Sequence, residues 1–307
     1  AAAVPASLMA ISTYLLVKYG TRNDSLAALS SLLAILSFNT TVSMFAGLYA
    51  NWLALSFMIL SFTPLIEASS QNSKRILLAS IVMSSLILLT HPLSWMVFIA
   101  VLSFYSSISL LALHIWKQTE TKRCLLFSLW ILLANVVLAS SLLFLSNLSA
   151  ELVVSYAIGG AGHLQLGADS LSKFPAHLQA TLRDYIGGFL ANPLTYFLAA
   201  VGALQVGYRR NFERLLYSWL IPTSIVFLLT GSLDQWRMLY YMPIHILAAL
   251  GVFQLTRKAG LLLPNQEFEG GRIISKLFKG SLLCLIILSL FNYAARSINL
   301  LFLLFIY

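Results

Sequence analysis

ILLASIVMSSLILLTHPLSWMVFIAVLSFYSSISLLALHIW, residues 76–116, runs for 41 residues without one Asp, Glu, Lys or Arg. About 20 apolar residues cross the roughly 30 Å hydrocarbon core of a bilayer. The stretch is therefore long enough for two helices and too long for one. Thr90-His91-Pro92 marks the fold-back, because proline opens a helix more readily than it continues one. Two spans follow, 75–91 and 93–115.

The same pattern extends outward in both directions. Ser25–Ile66 is another uncharged run, of 42 residues, and the polar Asn39-Thr40-Thr41 is expected to divide it as a hairpin. Hydrophobic residues make up 59% of the 307-residue chain and charged residues only 9%, where a soluble domain carries about 25%. In lipid only helices and closed barrels satisfy their own backbone. A barrel would read as strands of about ten residues with alternating polarity, whereas these runs are continuous. The expected fold is all-α, a single polytopic transmembrane helical bundle over 1–307. About ten spans are expected: 3–17, 25–38, 44–66, 75–91, 93–115, 123–146, 186–207, 213–231, 237–256 and 280–304, the last interrupted by Arg296.

Charge orients the bundle. The net charge is +9, which in a soluble protein would suggest nucleic acid. Here the basic residues sit in short clusters between spans, so nucleic-acid binding is set aside. With spans alternating in direction, fifteen basic residues fall on one set of connections and three on the other, Lys173, Arg183 and Arg237. The rich side is cytoplasmic by the positive-inside rule, which places both ends of this chain on the extracytoplasmic side. The basic loop 257–279, with Glu267 and Glu269, is then cytoplasmic and the loop 147–184 is outer. Within that outer loop Ser172-Lys173-Phe174-Pro175 reads as a helix start. Phe174, Leu178, Leu182 and Tyr185 recur at helical spacing, as in an amphipathic helix lying at the interface. Gly159-Gly160-Ala161-Gly162 lacks the Lys-Ser/Thr that a phosphate loop requires. Two cysteines, Cys124 and Cys284, make neither a disulfide framework nor a metal site. The opening AAAVPASLMA has no initiator Met and no basic leader, and reads as part of a longer protein.

Ionisable and polar groups inside a membrane are costly and so are candidates for function. Arg237, in Asp234-Gln235-Trp236-Arg237, stands at the outer start of a span, where a guanidinium holds phosphate bidentately. Its bland alternative is an interfacial anchor with Trp236 at headgroup level. Inward lie Tyr240, Tyr241 and His245, with His245 two turns below Arg237, about 12 Å along a continuous helix. His91 lies on the same outer side, either as a titrating donor to a phosphate or as a simple cap between two helices. Gly47, Tyr49 and Asn51 form a third group, where Gly47 allows close helix approach and Asn51 needs a partner. The outer-loop residues Glu151, Asp169, Asp184, His163 and His177 are candidate acids and bases, or simply solvated groups. Asn39-Thr40-Thr41 and Asn147-Leu148-Ser149 are glycosylation-type triplets on the outer side. No spacing of His, Cys, Asp and Glu points to a metal, and no cofactor motif is present.

Three of these stretches resemble the multi-spanning glycosyltransferases of the GT-C superfold, in particular prokaryotic enzymes that use polyprenyl- or dolichyl-phosphate sugars. They are FAGLYANWLALSFMIL (45–60), with its Gly-x-Tyr-x-Asn opening of a span; LILLTHPLSWMVFIAVL (86–102), with its Thr-His-Pro turn; and DQWRMLYYMPIHILAALGV (234–252), where Arg is followed by Tyr and Pro. The resemblance implies transfer of a sugar from a lipid-linked phosphate donor on the outer face of the membrane. Arg237 and His91 would hold the donor phosphate, and Asp234, Tyr240, Tyr241, His245, Tyr49 and Asn51 would line the site. The family's carboxylate base comes from a first outer loop that no residue here matches, so the full-length enzyme would supply it from upstream, with room for a divalent metal. Two other classes compete. A lipid or solute transporter or flippase would show repeats and intramembrane charges, which the nearly uncharged span interiors lack. A non-catalytic membrane scaffold needs no site at all.

Overall fold

The computed structural model describes residues 2–67, 74–117, 119–145, 172–183, 192–230 and 232–262, with isolated positions between 280 and 289. Every regular element among them is a helix. In chain order they are α1 (Ala3–Thr21), α2 (Asp24–Ile35), α3 (Phe38–Phe45), α4 (Tyr49–Glu67), α5 (Lys74–Thr90) and α6 (Pro92–Trp116). There follow α7 (Thr119–Leu145), α8 (Phe174–Thr181), α9 (Pro193–Ala203), α10 (Asn211–Leu229), α11 (Ser232–Tyr241) and α12 (Ile244–Leu262).

Five segments are long and apolar enough to cross a membrane: α2 with α3 as Asp24–Met44, then α4, α6 from Pro92 to Ile115, α7 from Glu120 to Leu142, and α10. A sixth is the bent pair α11–α12; α5 and α9 are apolar but shorter. Of the ten expected spans, 44–66, 93–115, 123–146 and 213–231 overlap candidate membrane helices, 25–38 is the first part of Asp24–Met44, and 237–256 runs across the bend between α11 and α12. The expected 3–17, 75–91 and 186–207 overlap α1, α5 and α9, which are not among the five. Most of 280–304, with Arg296, lies outside the described residues, as do 147–171, 184 and 263–279. The helix expected after Ser172 is present as α8.

The expected hairpin at Asn39-Thr40-Thr41 is displaced. These residues lie inside α3, which continues α2 past a short break at 36–37 as one segment, and the chain turns instead at 46–48. Their polar groups are satisfied within the bundle. Thr40 Oγ1 donates to the Ala34 carbonyl at 2.9 Å, Thr41 Oγ1 to that of Ser37 at 3.2 Å, and Asn39 reaches a distant carbonyl described below. The true turn is made by Gly47 at φ +64, with open space where a Cβ would stand. Gly47 supplies a left-handed turn, not the close helix approach expected of it.

Close approach occurs elsewhere. Helices α9 and α12 cross at Gly202 and Gly251. A Cβ on Gly202 would lie 1.9 Å from the Leu247 carbonyl oxygen, and one on Gly251 would lie 2.0 Å from that of Leu198. The rest of the bundle is tied by hydroxyls and amides, the usual glue where lipid removes any hydrophobic drive between helices. Ser61 and Ser80 exchange hydrogen bonds between α4 and α5 at 3.1 and 2.7 Å. Asn135 of α7 donates to Ser84 of α5 at 2.7 Å and accepts from Trp95 of α6 at 2.9 Å. Trp219 of α10, fully buried, packs on Phe62 of α4, and Phe62 on Phe98 of α6, each with ring centroids 5.3 Å apart.

The bundle has two chemically distinct ends. The turns α1–α2, α6–α7 and α9–α10 and the last turns of α12 meet at one of them, joined by Arg214–Thr121 and by a cavity shared among α1, α2, α9, α10 and α12. That end carries Lys18, Arg22, Lys117, Lys122, Arg123, Arg209, Arg210, Arg214 and Arg257. The other end gathers the α3–α4, α5–α6 and α10–α11 junctions with α8, and among the described residues its cations are Lys173, Arg183 and Arg237. The sorting read along the chain is thus a sorting in space.

Arg214 is 1% exposed and has no carboxylate partner among the described residues. Its guanidinium donates to the Arg209 carbonyl at 2.8 Å, to Thr121 Oγ1 at 2.9 Å and to Asn211 Oδ1. Dipoles alone neutralise it, which fixes the start of α10 against α7.

Substituting Gly202 or Gly251 by Ala should cost about 1–3 kcal/mol, since the colliding partner is rigid backbone. Thermal unfolding in detergent reads this out. Unchanged melting for both variants would mean that α9 and α12 do not cross at the glycines.

Candidate functional site

The site is built around an interruption. Helix α11 ends at Tyr241, Met242 and Pro243 intervene, and α12 leaves at 63° to the segment Gln235–Tyr241. Pro243 has no N–H to donate back into α11, and its ring obstructs the preceding turn. The last carbonyls of α11 therefore lose their helical donors, and in an apolar interior each needs another. Two side chains supply them. Asn39 of α3 donates its amide N–H to the Tyr240 carbonyl, and Trp219 of α10 donates Nε1–H to that of Tyr241 at 2.7 Å. The two phenol groups are anchored as well. Tyr240 bonds Ser43 of α3 at 2.7 Å, and Tyr241 bonds Ser94 of α6 at 2.9 Å. Their rings stand edge to face, 5.5 Å apart.

Against this frame lies a cavity of about 330 Å³, lined by Ala46, Leu48, Asn51, His91, Leu93, Trp236, Arg237, Tyr240 and Tyr241. One cation, one imidazole and one amide face an otherwise aromatic and aliphatic wall. The amide of Asn51 has no hydrogen-bond partner among the described residues.

His91 sits between α5 and α6 and caps the latter. Its Nδ1 accepts the backbone N–H of Ser94 at 3.2 Å, so Nδ1 carries no proton. Ser94 Oγ, 2.9 Å from the same nitrogen, must then donate to it. Ser94 Oγ in turn accepts the Tyr241 hydroxyl proton. The relay runs from Tyr241 to Ser94 to His91, and it assigns the neutral ring's proton to Nε2, which has no partner among the described residues. Burial, and secondarily the charge of Arg237, hold the His91 pKa below its ordinary value of 6.5. At neutral pH His91 is therefore an uncharged Nε2–H donor and not a second cation. The unfolded chain binds a proton more readily than the folded one below pH 6.5. The His91 contribution is thus complete above that value and is lost as pH falls through the folded pKa.

Five residues expected at the site, His91, Arg237, Tyr240, Tyr241 and Asn51, share this cavity. His245 does not. The proline break carries it onto α12, where it is buried with Nε2 3.4 Å from Thr13 Oγ1 of α1. The distance reckoned along a continuous helix does not apply across a 63° bend. Tyr49 is the first residue of α4, 40% exposed, and is absent from the lining. Asp234 falls in the first turn of α11, and its side chain lies outside the described residues, as do Glu151, His163, Asp169 and Asp184. His177 belongs to α8, which docks on α11 through Thr181 Oγ1 and Gln235 Oε1 at 2.6 Å. Asn39 is 1% exposed and occupied by the Tyr240 carbonyl, so its triplet is no surface glycosylation site. Ser43, Ser94 and Trp219 went unnoticed in the sequence, where serines and tryptophans are too common in apolar helices to stand out. The i+3 spacing of Ser94 from a capping His91 was the one available signal. Among the described residues no three His, Cys, Asp or Glu side chains gather to hold a metal ion. No family model matches the chain, and no curated protein matches it either.

Trp219→Phe keeps the ring and removes the donor, leaving the Tyr241 carbonyl bare at a cost of about 1–3 kcal/mol; chemical unfolding would measure it. For His91, nitrogen NMR of labelled histidine should find the Nε2–H tautomer at pH 7 and protonation only below pH 6.5. A resonance titrating above 6.5 would refute the relay assigned here.

Proposed function

We propose that this chain is a membrane glycosyltransferase-like protein that uses a polyprenyl-phosphate-linked sugar at the extracytoplasmic face. The observation that carries this reading is the single cavity joining Arg237, His91 and Asn51 to an aromatic and aliphatic wall at the cation-poor end of the bundle. Such a cavity suits a phosphate ester with an apolar tail. The guanidinium of Arg237 supplies the fixed positive charge that a phosphate needs. The Nε2–H of His91 adds a neutral donor without adding charge, and the Asn51 amide is available to a sugar hydroxyl. Leu48, Leu93 and Trp236 supply the apolar surface. Tyr240 and Tyr241 present rings whose hydroxyls are already engaged, so they shape the site and leave proton transfer to other groups. The carboxylate base that sugar transfer needs is assigned to residues beyond the described ones, and the ten-span topology with both ends of the chain extracytoplasmic belongs to the same proposal.

One observation favours a second reading. A discontinuous helix at a ligand cavity is also the hallmark of secondary transporters, whose unwound carbonyls coordinate the coupling ion. Here the carbonyls of Tyr240 and Tyr241 are taken by Asn39 and Trp219. That weighs against ion coordination at the break.

Binding of a short-chain polyprenyl phosphate to protein in nanodiscs tests the proposal. Arg237→Ala should weaken it about 10- to 150-fold, the worth of a charged hydrogen-bond set. His91→Ala should weaken it by about fivefold to tenfold. Equal affinity in both variants would reject the cavity as the phosphate site, and coupled ion flux in proteoliposomes would favour the transporter.

A further inference from the structure

A second cavity, of about 200 Å³, lies at the basic end of the bundle. It is lined by the α1–α2 turn, the end of α9, the α9–α10 connection, the start of α10 and the middle of α12. Unlike the first, it is polar in both senses of charge. Arg210, the N-cap of α10, lines it with a guanidinium that bonds no protein group among the described residues. Glu213, one turn on, spends Oε2 on the backbone N–H groups of Arg209 at 3.1 Å and Arg210 at 3.0 Å, and leaves Oε1 unspent. The side-chain amides of Gln205 and Gln254 have no partner there either, and Asn23, whose Oδ1 accepts the Leu26 N–H at 3.0 Å, keeps its NH₂ group. The carbonyl ends of α1 and α9 point to this region and add negative potential opposite Arg210. The surrounding surface is apolar and exposed: Leu204 is 84% exposed, Tyr208 56% and Phe253 37%.

We propose that this cavity binds a phospholipid headgroup that carries both a phosphate and a primary ammonium. The phosphate pairs with Arg210 and takes the amide N–H groups of Gln205, Gln254 and Asn23. The ammonium donates to Glu213 Oε1 and to helix-end carbonyls. The acyl chains lie along Leu204 and Phe253, with Tyr208 at headgroup depth, where tyrosine is favoured. A purely anionic headgroup would leave Glu213 facing a like charge. A trimethylated ammonium has no N–H to give its oxygen. A soluble phosphoethanolamine would fill the polar wall and leave the apolar surface uncovered. The inference is independent of the glycosyltransferase reading, since the two cavities lie at opposite ends of the bundle.

The test is native mass spectrometry of the full chain, exchanged into equal amounts of phosphatidylethanolamine, phosphatidylcholine and phosphatidylglycerol. Phosphatidylethanolamine should be retained about fivefold over each of the others, and millimolar phosphoethanolamine should fail to displace it. Arg210→Ala should abolish the preference. Glu213→Gln, which keeps the acceptor for the two backbone N–H groups and removes only the charge, should abolish it too. Lys18→Ala, at the same end but outside the cavity, should not change it. Equal retention of the three lipids, a preference for phosphatidylglycerol, displacement by the soluble headgroup, or a preference that survives both cavity variants would each overturn the proposal.

Discussion

The break between α11 and α12 is tolerable only because two side chains from elsewhere in the fold donate to the carbonyls it strands. A bare carbonyl in an apolar interior costs about 1–3 kcal/mol, and two in adjacent residues would be a large fraction of the stability of any such bundle. Asn39 and Trp219 remove that cost, and in doing so they tie α3 and α10 to the same two residues. The phenol hydroxyls of those residues extend the frame to Ser43 and Ser94. The position of Arg237, one turn before Tyr240 and Tyr241, follows from this frame, and so does the ring orientation of His91. Site and scaffold are the same set of hydrogen bonds.

Much of this was legible in the chain. Uncharged runs of 41 and 42 residues are each long enough for two apolar helices, and His91-Pro92 marks a helix junction that the structure places one residue from the expected position. Among the described residues, basic groups sorted to alternate connections do gather at one end of the bundle. The grouping of His91, Arg237, Tyr240, Tyr241 and Asn51 came from a shared end and from rarity, since ionisable and amide groups are few in such helices. What failed were inferences that needed three dimensions. Asn39-Thr40-Thr41 reads as a turn because polar residues in an apolar run resemble a loop, yet each of the three finds a partner inside the bundle. His245 was placed by counting along a helix that Pro243 interrupts. Gly202 and Gly251, which let α9 and α12 cross closely, look like any other glycines, and nothing local distinguishes them from Gly47, whose task is a left-handed turn.

The two cavities differ as the ends of the bundle differ. Near Arg237 a single cation stands in an aromatic and aliphatic wall, where low polarity strengthens its field. Near Arg210 cation, carboxylate and amides line one cavity beside exposed apolar surface, so charges of both signs meet there. One end is suited to capture a charge, the other to match a pattern of charges.

Arg214 carries an implication for how such a chain comes together. Its two terminal nitrogens donate to the carbonyl of Arg209, to Asn211 beside it and to Thr121 on α7, a helix that emerges much earlier in synthesis, while its buried Nε has no acceptor among the described residues. Arg209 and Asn211 travel with the start of α10, so Thr121 is the acceptor that becomes available only where α10 meets α7. The buried guanidinium thus links the solvation of its own charge to one helix contact, and it loses an acceptor wherever that contact opens.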